Sequence, residues 1–177
     1  MRFWTSAISI LVSIALGACA SAPGAFVVRS AALDAGTLTL RCDWRPDAQV
    51  LDALDHGIEL PFVVTVQALR PGDFGLETAA QIHRHVQLRY FPLSRRYQVR
   101  DAEDATTRNY AARALALAAM ENLRLPLPGF DGAGATQLRV RITLDRDALS
   151  GALRLPALLQ SAWRMDSGDY TWLPRAG

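Results

Sequence analysis

Lysine is absent, and all 19 basic side chains of this 177-residue chain are Arg. Seventeen acidic residues oppose them, leaving a net charge of +2 at pH 7. An imbalance this small is not the basic footprint of a nucleic-acid binder. The all-Arg complement most simply reflects a GC-rich genome. Cysteine is nearly as scarce, with only Cys19 and Cys42. No C-x-x-C, H-E-x-x-H or G-x-S-x-G occurs, so the usual redox-pair, zinc-protease and nucleophile-elbow signatures are missing. Ser94 and Ser167 have no evident base partner. Histidine is limited to His56, His83 and His85. His83 and His85 are spaced to share one strand face, but a stable site takes three or four ligands. Solvated residues on an exposed strand are the simpler reading, and neither metal nor cofactor is expected. Asp166-Ser167-Gly168-Asp169 lacks the further oxygens of a calcium loop and reads as a turn.

Long apolar runs are missing too. The longest stretch of this kind, Ile8 to Leu16, falls short of the ~20 residues that cross a bilayer. It follows Met1-Arg2-Phe3-Trp4 and precedes Gly17-Ala18-Cys19-Ala20-Ser21-Ala22. A basic start, an apolar middle and a small-residue end make up a secretory signal. Leu16-Gly17-Ala18-Cys19 looks like a bacterial lipobox, whose cysteine is lipidated and becomes the new N-terminus. Ala18-Cys19-Ala20 also fits the A-x-A pattern of ordinary cleavage. The lipobox is preferred because a cysteine in that place is unusual unless it is used. The expected organisation is therefore a signal over residues 1–19 with Cys19 lipidated, a tether over 20–25, and one domain over 26–177. Six tether residues span at most ~20 Å, which would hold the domain against the membrane. Ala20 after the cysteine suggests, by resemblance to other lipoproteins, a periplasmic position tethered to the outer membrane. Once Cys19 is acylated, Cys42 is alone and reads as a small buried hydrophobe.

Alternation with a period of two recurs along the rest of the chain. It runs through Leu38, Leu40, Cys42 and Trp44, then through Phe62, Val64, Val66 and Ala68, and again through Leu138, Val140, Ile142 and Leu144. Ile82 to Tyr90 alternates with one lapse at Arg84, Tyr97 with Val99 makes a shorter strand, and Phe26 to Ala32 a weaker first one. One-sided alternation marks half-buried antiparallel strands. A helix over Ala48 to Asp55 is expected behind an Asp47 cap, with Gly57 as its stop. A longer one is expected from about Thr106 to Leu123, packed across the apolar face of the sheet rather than exposed because Ala111 to Met120 is apolar nearly all round except Arg113. Leu155-Pro156-Ala157-Leu158-Leu159 suits a helical turn with Pro first, and Trp163 to Trp172 a hairpin. The fold class predicted is α+β: a mostly antiparallel sheet of six to eight strands, with one long and one or two short helices packed on it.

Three stretches carry a family resemblance: Leu51 to Phe62 (LDALDHGIELPF), Leu88 to Arg100 (LRYFPLSRRYQVR), and Leu153 to Leu159 followed by Trp163 to Trp172. In order and spacing they resemble the proteobacterial family DUF4390, a domain of unknown function, over nearly all of the chain after the signal. Members often carry a Trp-rich stretch where Arg70-Pro71-Gly72-Asp73-Phe74-Gly75 stands here. Genes of the family often neighbour an rRNA methyltransferase and a membrane sensor-kinase pair. The resemblance implies no catalytic residues.

The outward parity of the strands collects Arg41, Arg89, Arg96, Arg100, Arg139 and Arg141, with Gln67, His83, His85, Gln87 and Gln98. Guanidiniums suit phosphate and carboxylate bidentately, so this face is the candidate surface for an anionic envelope partner: lipid headgroups, lipopolysaccharide or an acidic protein. A solvated face neutralised by Asp43, Asp101 and Asp145 accounts for the same pattern. Trp44, Trp163, Tyr170 and Trp172 would suit a glycan platform, although large aromatics at strand parity are more often core. The expected function is that of a lipid-anchored binding or accessory module of the cell envelope, with no nucleic-acid partner. The alternatives are a periplasmic partner or modulator of a membrane sensor kinase, and a glycan-acting envelope enzyme.

Overall fold

The computed structural model describes residues 26–174 apart from Asp131 and Ala133. The expected signal, lipidated Cys19 and tether lie outside the described residues. Nine antiparallel strands and three helices are described, as an α+β fold with two sheets. In chain order these are β1 (Phe26–Asp34), β2 (Thr37–Trp44), α1 (Ala48–Asp55), β3 (Leu60–Gly72), β4 (Gly75–Phe91), β5 (Arg96–Asp101) and β6 (Thr107–Tyr110). They continue with α2 (Arg113–Glu121), β7 (Asn122–Pro126), β8 (Gln137–Leu144), α3 (Gly151–Leu159) and β9 (Tyr170–Trp172). A small sheet runs β1-β2-β7 and a larger one β6-β5-β4-β3-β8-β9. Among the described residues no helix is long and apolar enough to cross a membrane.

Local chemistry explains the elements. Ala35 and Gly36 both have positive φ, at 45° and 70°, which suits the two-residue hairpin turn between β1 and β2. Asp47 accepts a hydrogen bond from the Gln49 N–H at 2.9 Å, capping α1 as expected. Gly57, at φ 83°, ends that helix. Its N–H donates to the Leu54 carbonyl, and Ile58 N–H donates to Ala53, the paired bonds that close a helix through a left-handed residue.

The inward rows of both sheets share one core. Leu38, Leu40, Cys42 and Trp44 of β2 are buried with Phe62, Val64 and Val66 of β3 and Val140 and Ile142 of β8. Phe26, Trp44 and Phe62 clasp the sheets together at one end, with ring centroids 5.3 to 5.8 Å apart. Offset and edge-on rings at this spacing contribute about 0.5–1.5 kcal/mol per pair beyond their burial.

Four expectations need correction. The one sheet of about six to eight strands is instead nine described strands divided between two sheets. The long helix over 106–123 is instead a strand, a nine-residue helix and another strand. Ala-rich propensity holds only over α2, while Leu123 and Leu125 keep a period of two and bury as β7 against β2. Helix α2 packs by one face, with Ala116 and Met120 in the core and Leu115 exposed. The C-terminal helix begins at Gly151, ahead of Pro156. Finally, Trp163 to Trp172 is not a hairpin. Asp166 bridges Thr143, and Tyr170 to Trp172 pair with Val140 to Leu138, so both arms line the same edge of β8.

Candidate functional site

Residues directly opposite in an antiparallel pair lie on one face, so strand register decides which outward side chains meet. On the larger sheet Thr65 sits between His83 and Arg141, and Gln67 sits between Gln81 and Arg139. All of these except His83, with Thr143 and Asp169, line an open polar groove of about 460 Å³. Its floor is a chain of hydrogen bonds. The Gln67 amide donates to the Gln81 carbonyl oxygen at 2.6 Å, Gln81 Nε2 lies 2.8 Å from His83 Nε2, and His83 Nδ1 lies 3.1 Å from the Thr65 hydroxyl.

The two groove arginines differ. Arg141 is held at both ends of its fork: Nε donates to Asp166 Oδ1 at 2.8 Å, and Nη2 donates to Oδ2. That pairing holds the Asp166 carboxyl below its ordinary range, against the opposing effect of burial and with help from the Gly168 N–H. Arg139 is less committed. Its Nη1 is 3.6 Å from Asp169, and its buried Nε makes no hydrogen bond among the described residues. That Nε is closed to solvent, so a ligand oxygen in the groove would meet the rest of the guanidinium, on a side chain that is 33% exposed.

Arg89, Arg96 and Arg100 share the same sheet face but form a second group. Arg89 stands opposite Gln98, Arg100 opposite Gln87, and Arg96 opposite Phe91. Arg89 lies 4.0 Å from Glu59 and stacks 4.9 Å over the Phe91 ring. Arg96 and Arg100 have no ion-pair partner among the described residues. Gln87 faces Pro61 whereas Arg139 faces Gln67. The two groups are therefore offset by roughly 20 Å along the strands and roughly 14 Å across them. Arg41 is elsewhere, on the small sheet opposite Ser30 and Asn122. Five of the six arginines thus share a face, in two separated groups. The carboxylates beside them are Asp166, Asp169 and Glu59; Asp43 pairs with Arg29, and Asp101 with a residue inside the fold.

That inner residue is Arg84, the lapse in the alternation of β4. It keeps inward parity at 2% exposure and donates to Asp101 at 2.7 Å, with Asp104 at 2.9 Å and Glu103 at 3.7 Å. Burial works against its charge, but the hydrogen bonds to Asp101 and Asp104 outweigh that and raise its pKa. His85 joins the same turn, its Nδ1 2.5 Å from Glu103. The signal for this cluster was a charge at an apolar position with Asp101-Ala102-Glu103-Asp104 to meet it. His83 and His85 are each engaged by separate partners, and His56 Nδ1 contacts the Asp52 carbonyl on α1. No group of three or more His, Cys, Asp or Glu side chains able to hold a metal occurs among the described residues. Trp44 and Trp163 are buried in the core, apart from half-buried Tyr170 and Trp172.

A family model described as a domain of unknown function (DUF4390) matches residues 26–173. The chain belongs to that family. No curated protein matches significantly, and no solved structure does. The DUF4390 match runs from the first residue of β1 to just past β9, spanning both sheets. The stretches that carry the resemblance meet in space. Asp55 of α1 accepts from the Tyr97 hydroxyl at 2.8 Å and also from Arg113. His56 and Ile58 share a groove of about 360 Å³ with Leu153 and Trp163.

Proposed function

We propose that this DUF4390 protein is an exported, lipid-anchored module of the cell envelope that acts by binding, and that the outer face of its larger sheet receives an anionic partner. The observation that carries this reading is the polar groove over β4, β3 and β8, with Arg139 held at its wall only by a 3.6 Å pairing to Asp169. A planar guanidinium with free donors matches carboxylate or phosphate oxygens. The amide and hydroxyl groups of Gln67, Gln81 and Thr65 add neutral donors alongside. Arg89, Arg96 and Arg100, at the other end of the face, suit an extended or multiply charged partner that touches both groups.

The anchoring part rests on the signal-like segment and Cys19, and intact mass tests it. Protein recovered from bacterial membranes is expected to start at Cys19 and carry acyl chains; a mass starting at Ser21 would overturn lipid anchoring. The binding part is tested with the full-length chain in non-ionic detergent, using lipopolysaccharide as the anionic probe. Arg89→Ala combined with Arg139→Ala is expected to weaken binding, and unchanged binding would overturn the reading.

A further inference from the structure

Helix α3 carries an apolar stripe that the fold leaves uncovered. Leu155, Leu158 and Leu159 are 71%, 47% and 80% exposed, and their i, i+3, i+4 spacing puts them on one helical face. Ala157, by contrast, is fully buried. Arginines lie near the stripe: Arg154 on the helix, its Nε donating to the Leu149 carbonyl at 3.2 Å; Arg146, which shares a hollow with Leu158 that Asp147 also lines; and Arg164, which shares a second hollow with Arg146. Asp145 is occupied in part by the turn before the helix, accepting from the Asp147 and Ala148 N–H groups at 3.1 Å.

The position of the stripe gives it meaning. The chain enters the fold at Phe26, which pairs with Trp44 and whose ring lies 5.8 Å from that of Phe62. Phe62 stands opposite Leu144 of β8. Leu144 in turn lines, with Val63 and Leu158, a hollow at the foot of α3. The entry point and α3 therefore occupy the same end of the molecule. A lipidated Cys19 lies within a reach of about 24 Å of Phe26, whatever the conformation between them. The β3–β4 hairpin tip, with Phe74 fully exposed, is some ten residues further along β3, about 33 Å away.

We infer that α3 is a membrane-surface contact: Leu155, Leu158 and Leu159 enter the headgroup region of the bilayer beside the anchor, with Arg146, Arg154 and Arg164 facing its anionic lipids. A helix with an apolar face and a basic border takes this position at an interface. The contact would fix the orientation of the domain at the membrane, pointing the hairpin tip away from the bilayer. The inference rests on the lipid-anchored reading given above.

The test uses the full chain with its leader, purified from membranes and reconstituted in phosphatidylethanolamine–phosphatidylglycerol vesicles. Leu158→Cys, Leu159→Cys and Phe74→Cys are each labelled with an environment-sensitive fluorophore, and the vesicles carry a lipid-borne nitroxide quencher. All three positions are exposed, so the fold tolerates them. An interfacial helix buries its apolar face about 5–10 Å into the headgroup region, so labels at 158 and 159 are expected to be quenched and the label at 74 to keep its fluorescence. Equal quenching at the three positions in protein that floats with the vesicles would overturn the α3 contact and leave the anchor standing. Shielding at 158 without lipid quenching would assign the stripe to a contact between copies of this chain and overturn it as well. Protein that fails to float would remove the anchored reading and the contact together.

Discussion

Arg84 reaches Asp101 across the β4–β5 pair, donating at 2.7 Å from a side chain that is 2% exposed. A guanidinium this deep is stable only while carboxylates answer it, because an unpaired buried charge is very costly. Removing both direct partners, as Asp101→Ala with Asp104→Ala, is expected to cost about 3–5 kcal/mol. Arg84→Met fills the space with an apolar chain and leaves carboxylates nearer to water, so its cost is expected to be smaller. Urea midpoints of the two variants check the order, and the reverse order would contradict this account of the cluster.

The same turn, with Asp166, is expected to make stability fall in acid. Burial opposes ionisation of Glu103, but hydrogen bonds from the His85 ring and backbone outweigh it and hold the carboxyl below its ordinary 4.5. Asp166 is held below its ordinary 3.8 by Arg141. Carboxyls lowered by folding release their protons more readily in the native state than in the unfolded one. Their contribution is complete above the unfolded values of 4.5 and 3.8 and is lost as pH falls through the lowered native values. Denaturation midpoints followed from about pH 6 to about pH 3 are expected to drop, with a shallower drop in Glu103→Gln and in Asp166→Asn. An unaltered slope in both variants would contradict the assignment.

Period-two alternation located most of the strands, because a half-buried strand must show it whatever its neighbours are. It says which face is buried but not against what. The split into two sheets depends on β7, whose Leu123 and Leu125 adjoin an Ala-rich run that favours helix. Only pairing with β2 settles those residues as strand. Likewise the outward parity of Arg89, Arg96, Arg100, Arg139 and Arg141 was readable. Their division into two groups depends on register, which no local pattern of these residues encodes. Arg41 has the same parity signal as the others but belongs to the other sheet. Arg84 was visible as a break in pattern, and its meaning came from carboxylates 17 and 20 residues away.

Cys42 reports on opening of the core. Its thiol is pushed up to about 12, first by burial and then by the nearby charges of Asp43 and Glu121. The thiolate is the reacting form, so native protein is expected to resist Ellman's reagent at about pH 8 and to react in urea. Peptide mass mapping distinguishes Cys42 from Cys19. Prompt modification of Cys42 in the native protein would contradict its placement in the core.

Gly57 combines a left-handed backbone with a close neighbour. At φ +83°, an added Cβ would lie 3.3 Å from the Tyr90 carbonyl oxygen, whereas one at Gly168, φ +64°, would meet nothing within 4 Å. Left-handed backbone costs an L-residue about 1–2 kcal/mol at either site. Gly57→Ala is expected to cost more than Gly168→Ala in thermal or urea unfolding. Equal costs would mean that the α1 end can move away from β4.

The measurement that bears most directly on the binding role compares two arginines of equal charge and different place. Arg139 lines the groove on the larger sheet; Arg41 stands exposed on the small one. Full-length protein in non-ionic detergent is titrated with lipopolysaccharide by calorimetry, as wild type, Arg139→Ala and Arg41→Ala. A charge-assisted hydrogen bond of about 1.5–3 kcal/mol makes the expected loss at Arg139 roughly tenfold or more. The affinity of Arg41→Ala is expected to match that of wild type. Equal loss at both positions, or none at Arg139, would contradict a binding site on the outer face of the larger sheet.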